Sequence, residues 1–294
     1  MRFPQGRSKH VLVVLTAAVV FVLAIFVAVQ VIRPREPNFE GLSLTSWLED
    51  FSSSTNLIPR AEVAVRSMGT NSVPFLLDIL SYKESPARKK VREITEKLPD
   101  WLHFFERSSR PGLEAAHAIN ALGSQAESAF PTLTNLFYNG KPTSAGIALA
   151  GIGQKGVLFL VNALTNQNVS ARFHNTSALA LGSARSDYDI VVPALIQVLQ
   201  TASSSARSMA AMSLGTLHRK PEIAVPALIE SLNDPNDTLR AYAIFALGEF
   251  GPHAVASVPM LLQATNDKGS TVRMRSREAL QKISPDLLND QKVK

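Results

Sequence analysis

The sequence repeats itself every 33 residues, and this periodicity constrains the fold more than any other feature. Three glycines and three prolines recur at that same interval: Gly182, Gly215 and Gly248, then Pro193, Pro226 and Pro259. Two residue types that recur in phase indicate one structural unit copied in tandem. In each copy an alanine-rich segment runs to Leu-Gly, and a short polar stretch separates it from a segment that begins at proline.

This punctuation predicts a pair of helices in each unit. Glycine suits the left-handed residue that follows a helix C-terminus, and proline suits the first helical turn, where its missing N–H has no intrahelical partner. Weaker copies extend the array: Gly69 with Pro74 and then Pro131 lie upstream, Leu158 stands where one proline is expected, and a more polar unit ends the chain. Seven units therefore account for most of residues 53 to 294.

The apolar residues of the predicted second helices fall at helical spacing, as in Leu195 and Leu199, and again in Leu228 and Leu232. Such a stripe buries one helix face against neighbours. No strand-like alternation of apolar and polar residues is evident. The sequence predicts an all-α fold, an α-solenoid in which each helix pair packs on the pairs beside it.

Two units carry the pattern R-x-x-A-x-x-A-L-G followed by V-P-x-L most clearly, with Arg240, Gly248 and Pro259 in one and Arg207 and Pro226 in the other. The pattern resembles the HEAT-repeat superfamily, in particular the short HEAT-like repeats of the phycobilisome-lyase type. The resemblance implies an armadillo-type superhelix whose second helices line a concave face. It also implies that arginines at the starts of first helices bridge to acidic turns between repeats, with Asp234 or Asp237 as acceptor.

The N-terminal region has the character of a membrane segment. Residues 11–32 include no charged side chain, and 22 helical residues at about 1.5 Å each cross a hydrocarbon core of roughly 30 Å. A cleaved signal peptide is the alternative, but its apolar run is shorter and ends at a small-x-small site. Flanking charges favour a cytoplasmic N-terminus. We expect a single-pass anchor with an extracytoplasmic solenoid, which would be periplasmic in a bacterium.

Composition and motifs argue against several functions. Cysteine is absent, which excludes thiolate metal sites and cysteine nucleophiles. Half of the formal net charge of +6 comes from Arg2, Arg7 and Lys9, so the folded part offers little basic surface for nucleic acid. The stretch GIGQKG formally matches a dinucleotide fingerprint, but an alanine-rich helical stretch precedes it. We predict no catalytic residue, cofactor, metal or small-molecule ligand.

Two segments interrupt the repeat. Residues 33–52 form a linker and a predicted capping helix, which resembles the Gly-x-x-Leu-x-x-Trp-Leu opening of membrane-anchored bacterial HEAT-like proteins. The second segment is an insert at about 81–112, because Pro74 and Pro131 lie 57 residues apart. The insert contains a basic cluster followed by aromatic residues: Arg88, Lys89, Lys90 and Arg92, then Trp101, Phe104 and Phe105. It is either an inserted helix with a solvated face or a site for acidic partners, anionic lipid or single-stranded nucleic acid.

The resulting domain organisation is a basic tail (residues 1–10), a transmembrane helix (11–32), the linker and capping helix (33–52) and the solenoid (53–294). Four residues after each second-helix start, the side chain is polar in six units: Asp78, Asn135, Asn162, Gln197, Glu230 and Gln263. This polar column is either a ladder for an extended partner or an ordinary solvent-facing row.

The function predicted from these features is a membrane-anchored scaffold or adaptor for protein partners, without catalysis. A HEAT-like lyase or glycosylase with a groove site is one alternative, and a secreted solenoid with its N-terminal segment removed is another.

Overall fold

The computed structural model describes residues 36–52, 57–82, 112–166 and 168–285. Within them, fourteen α-helices follow a short antiparallel hairpin of β1 (Asn38–Phe39) and β2 (Leu42–Ser43). The sequence pattern did not predict this hairpin. Its turn residues, Glu40 and Gly41, both have positive φ angles, 51° and 78°, which is the geometry of a tight two-residue hairpin turn.

Helix α1 (Leu44–Ser52) follows the hairpin, and the remaining helices alternate as first and second members of units. The first helices are α2 (Ile58–Met68), α4 (Gly112–Leu122), α6 (Pro142–Gly151), α8 (Ala171–Leu181), α10 (Ser204–Leu217), α12 (Asp237–Phe250) and α14 (Ser270–Ile283). The second helices are α3 (Val73–Ser81), α5 (Phe130–Asn139), α7 (Gln154–Thr165), α9 (Tyr188–Thr201), α11 (Pro221–Glu230) and α13 (Val258–Ala264). Each first helix between α4 and α12 packs on the first helix of the next unit and on the second helix of the unit before it.

The apolar stripe of the second helices is buried as the helical spacing predicts. Leu195 and Leu199 on α9 and Leu228 on α11 are fully or almost fully buried. Glu230, two residues after Leu228, is exposed. The helical register of these units is therefore confirmed.

The conformation predicted for the three periodic glycines is wrong. Gly182 has a right-handed φ of −62°, and Gly215 and Gly248 lie inside α10 and α12 rather than after them. Their role is close packing between consecutive first helices, since a Cβ on Gly215 would lie 2.6 Å from the Cα of Ala246. The glycines with positive φ that directly follow a first helix are instead Gly69, Gly123 and Gly251.

This correction predicts different costs for two alanine substitutions. Gly215→Ala should lower the free energy of unfolding by about 1 to 3 kcal/mol, because the new methyl group meets backbone that cannot move aside alone. Gly248→Ala is the matched control, because its Cβ would lie at 3.2 Å from Ala279 and the gain in helix propensity of about 1 kcal/mol offsets the crowding. Urea unfolding followed by circular dichroism measures both, and equal costs would contradict the packing role.

The prolines follow the predicted rule in part. Pro74, Pro131 and Pro259 occupy the first turn of their helices, each after a short 3₁₀ segment. Pro193 and Pro226 lie inside α9 and α11, which begin five residues earlier than predicted. Each proline lacks the N–H that would donate to the carbonyl group one turn earlier. Because the two prolines are exposed, these carbonyl groups lie on the solvent side.

Helix α1 packs on α2 and α4 at the start of the array. Its Trp47 is 3% exposed, and the indole N–H donates to the Phe39 carbonyl oxygen at 3.1 Å. The guanidinium of Arg60 lies 5.7 Å from the centre of the same ring. Trp47 therefore anchors α1 and the hairpin to the first unit and offers little surface to a partner.

One apolar helical stretch among the described residues, Asp237–Ala264, is long enough to cross a membrane by length and composition. It comprises α12, a 3₁₀ segment with non-helical angles at Ala254, and α13. A buried core helix meets the same test, and α12 packs between α10 and α14. The predicted transmembrane helix, residues 11–32, lies outside the described residues.

Candidate partner-binding surface

A column of arginines near the starts of first helices ties consecutive units together. Arg207 forms an ion pair with Asp234 at 2.6 Å. Arg240 makes two hydrogen bonds to the Asp267 carboxylate, at 2.8 and 2.9 Å, and a third to the Asp234 carbonyl oxygen. Arg273 donates to the Asp267 carbonyl oxygen at 2.8 Å. Of the two acceptors expected from the resemblance, Asp234 and Asp237, the arginines contact Asp234, and they also contact Asp267, which was not expected.

Arg172 belongs to this column by position but not by contacts. It is exposed, and no hydrogen bond or ion pair joins its side chain to a described residue. The carbonyl oxygen of Asn166, in the preceding turn, is 2.8 Å from Nε2 of His174 instead. Arg172 therefore does not take part in the contacts that hold the other units together.

The polar column predicted from the sequence lies on the second helices α3, α5, α7, α9, α11 and α13. All six side chains are exposed: Asp78, Asn135, Asn162, Gln197, Glu230 and Gln263. Asn135 also accepts a hydrogen bond from the Asn139 amide at 2.9 Å. The structure places the column in solvent, and its binding role stays a prediction.

An aromatic cluster that the sequence reasoning missed lies beside the column on α5, α7 and the first turn of α8. The buried ring of Phe137 contacts Phe159 at 5.4 Å and Phe173 at 5.3 Å between ring centres. Tyr138 contacts the same two rings at 5.6 and 5.1 Å, yet 45% of its surface is exposed. The repeat does not predict the cluster, because the position of Phe173 holds Ser208, Ala241 and Met274 in the later units, although Phe75 matches Phe159 in the first unit.

A polar network around the buried side chain of Asn120 joins units 1 to 4. Asn120 on α4 donates to the carbonyl oxygens of Ile147 and Ser183 at 2.8 and 3.0 Å. Arg185, in the turn after α8, donates to Asn120 Oδ1 and forms an ion pair with Glu62 on α2, both at 2.5 Å. Burial lowers the pKa of nearby His117, against the opposing effect of Glu114. These hydrogen bonds and the ion pair brace the first four units.

The glycines of GIGQKG have structural roles. Gly153, with a φ of 103°, forms the turn between α6 and α7. Cβ atoms on Gly151 and Gly156 would overlap Asn120 and the Leu149 carbonyl oxygen, respectively.

Among the residues that the structure describes, no group of three or more histidine, aspartate or glutamate side chains could hold a metal ion. The basic insert, Arg88, Lys89, Lys90 and Arg92, lies outside the described residues.

Alternating helices that pack mainly on adjacent units, with arginine–aspartate contacts between their turns, define a tandem α-helical repeat protein. A family model described as HEAT repeats matches residues 157–239 and 225–292. Residues 157–292 are thus similar to HEAT repeats.

Three solved structures match this chain, each with a TM-score of 0.38 and over 82% of its length. They are an engineered protein (19% identity, 96% of that chain covered), human deoxyhypusine hydroxylase with glycerol (18%, 84%) and a designed armadillo repeat protein with the peptide (KR)4 (14%, 99%). No curated protein sequence matches this chain. The similarity to HEAT repeats rests on the family model alone.

Proposed function

We propose that this protein is a membrane-anchored scaffold or adaptor that binds protein partners through the exposed face of its second helices and has no catalysis of its own. The observation that carries the proposal is the polar column, one exposed polar side chain per unit along six consecutive units. HEAT and armadillo folds are typical of protein-interaction scaffolds. An extended partner along the column would contact several units at once, so many weak contacts would add up.

A triple variant tests the column. Asn162→Ala, Gln197→Ala and Glu230→Ala together should weaken partner capture at least about tenfold, since each removes polar contacts from a different unit. The matched control is Thr143→Ala, Thr216→Ala and Glu278→Ala, which removes three exposed side chains from first helices and the same charge. The measurement is crosslinking in native membranes followed by quantification of each partner recovered with wild type.

The basic insert provides the competing outcome. If neutralising Arg88, Lys89, Lys90 and Arg92 abolishes capture while the triple variant does not, partners bind the insert rather than the column. Capture through the insert should also fall steeply with salt, because exposed charges are screened over about 8 to 10 Å at physiological ionic strength. Capture that neither set of substitutions changes would overturn both surfaces.

The anchor is proposed from the 22 uncharged residues of 11–32, and truncation tests it. Deletion of residues 1–32 should give a soluble, helical protein, because the buried core lies within the solenoid and α1. Full-length protein should stay in the membrane fraction after carbonate washing, and protease added outside the cytoplasm should digest the solenoid. Release by carbonate would contradict the anchor, and loss of helicity on truncation would contradict an independent solenoid.

A further inference from the structure

Units 2 to 4 include a stretch of unusual charge. Between Glu127 and Asp187 the sequence contains no acidic residue, but it contains Lys141, Lys155 and two arginines. Lys155 pairs with Glu127, and the second of the arginines, Arg185, pairs with Glu62. The positive charges of Lys141 and Arg172 are therefore not balanced by an ion pair with any described residue.

Exposed apolar side chains lie in the same stretch. Tyr138 and Leu158 are 45% and 48% exposed, and Phe159 and Phe173 are partly buried against Phe137. The edge-to-face contacts among these rings fix their orientation before any partner binds. Rigid aromatic side chains with a polar rim are enriched where proteins bind one another.

Arg172 is a second, independent indication that this stretch binds a partner. The equivalent arginines Arg207 and Arg240 are fixed by the carboxylates of Asp234 and Asp267. At Arg172 the equivalent acidic residue is missing, since the position eight residues after Pro193, which corresponds to Asp234 after Pro226, is Thr201. This unit therefore has the guanidinium without an internal carboxylate to pair with it. A carboxylate from another molecule can form that ion pair instead.

We propose that the acid-free aromatic surface, defined by Tyr138, Lys141, Leu158, Phe159, Arg172 and Phe173, binds an extended acidic segment of a partner polypeptide. An aromatic or aliphatic side chain of that segment packs on Tyr138 and Leu158, and its carboxylates pair with Lys141 and Arg172. This inference rests on the proposed scaffold function and names the class of partner segment that it binds.

The chemistry of the surface favours a polypeptide over a membrane or a nucleic acid. Polybasic membrane-binding segments carry about four to eight cations, whereas this surface has two without an ion-pair partner. A phosphate backbone likewise needs several cations to bind at physiological salt. Asn135 on α5 and Asn162 on α7 are exposed. Their side-chain amides provide both hydrogen-bond donors and acceptors, which match those of a peptide backbone.

Fluorescence anisotropy on the full-length protein in zwitterionic nanodiscs tests the proposal. The probe is a fluorescein-labelled peptide, EDEFEDLEDE, and the control peptide is KKKFKKLKKK. The acidic peptide should bind at least about tenfold more tightly than the control. Lys141→Glu with Arg172→Glu should weaken its binding about tenfold or more, and so should Tyr138→Ser with Leu158→Ser. Lys268→Glu with Arg277→Glu, which reverses two exposed charges elsewhere, should leave its affinity unchanged.

Several results would overturn the inference: no binding of the acidic peptide, equal binding of the control peptide, or binding lost on neutralising the basic insert but not on changing this surface. Protection of Tyr138 from hydrogen exchange in anionic nanodiscs without peptide would make the surface a lipid contact. If partner capture depends on Asn162, Gln197 and Glu230 but the acidic peptide fails to bind, this inference fails and the scaffold function stands. If the peptide binds but no partner is captured from membranes, the scaffold function fails instead.

Discussion

Replacing Leu228 with alanine is expected to lower the free energy of unfolding by about 2 to 5 kcal/mol. Leu228 is fully buried on α11, and truncation leaves a cavity between a second helix and the helices of adjacent units. Glu230→Ala, two residues further on, should change the free energy by no more than about 0.5 kcal/mol, because the side chain is exposed. Urea unfolding of both variants, followed by circular dichroism, measures the difference.

A control for the helix itself is built into this pair. Alanine has a higher helix propensity than either residue, so a large loss at Leu228 cannot come from weakened helix formation. Equal costs at the two positions would mean that α11 presents a different face to the core than the structure shows. A cost at Leu228 below about 1 kcal/mol would mean that the neighbouring helices close around the missing side chain.

The fold was predictable because each unit repeats the same physical solution. A stripe such as Leu195 and Leu199 has to be buried, and the unit has nothing to bury it against except its neighbours. The periodic glycines were correctly located but wrongly explained. A 33-residue interval shows that a small residue is needed, whereas only the structure shows that the reason is the contact of Gly215 with Ala246 in the next first helix.

The repeat pattern could not predict the irregular features of the site. The contact between Glu62 and Arg185 joins residues 123 positions apart, and no periodicity links them. The aromatic cluster likewise depends on Phe137, Phe159 and Phe173 meeting across three helices. Repetition predicts what the units share, and a specific binding surface depends on where they differ. The absence of acidic residues between Glu127 and Asp187 was visible in the sequence, but its meaning required the contacts of Lys155 and Arg185.

Arg240→Ala is expected to lower the free energy of unfolding by about 3 to 5 kcal/mol. The Arg240 side chain is 7% exposed and that of Asp267 is 17% exposed, so removal of the guanidinium leaves a largely buried carboxylate without its main partner. Arg172→Ala is the matched control, because this exposed arginine of the same column makes no such contact, and it should cost no more than about 0.5 kcal/mol. Similar losses for the two variants would contradict the bracing role of Arg240.

The contribution of this pair should also depend on pH. The hydrogen bonds from Arg240 hold the pKa of Asp267 below its ordinary value, with a further contribution from the Gly269 N–H. An aspartate with a lowered folded pKa contributes stability that is complete above the unfolded pKa of about 3.9 and is lost as the pH falls through the folded value. The difference in unfolding free energy between wild type and Asp267→Asn should therefore be constant from pH 7 to about pH 5 and shrink below about pH 4.

The double variant Arg240→Ala with Asp267→Ala should cost less than the sum of its parts, because the second substitution removes the carboxylate that the first leaves unpaired. Additive costs, or a difference independent of pH, would show that units 6 and 7 are held together without this pair.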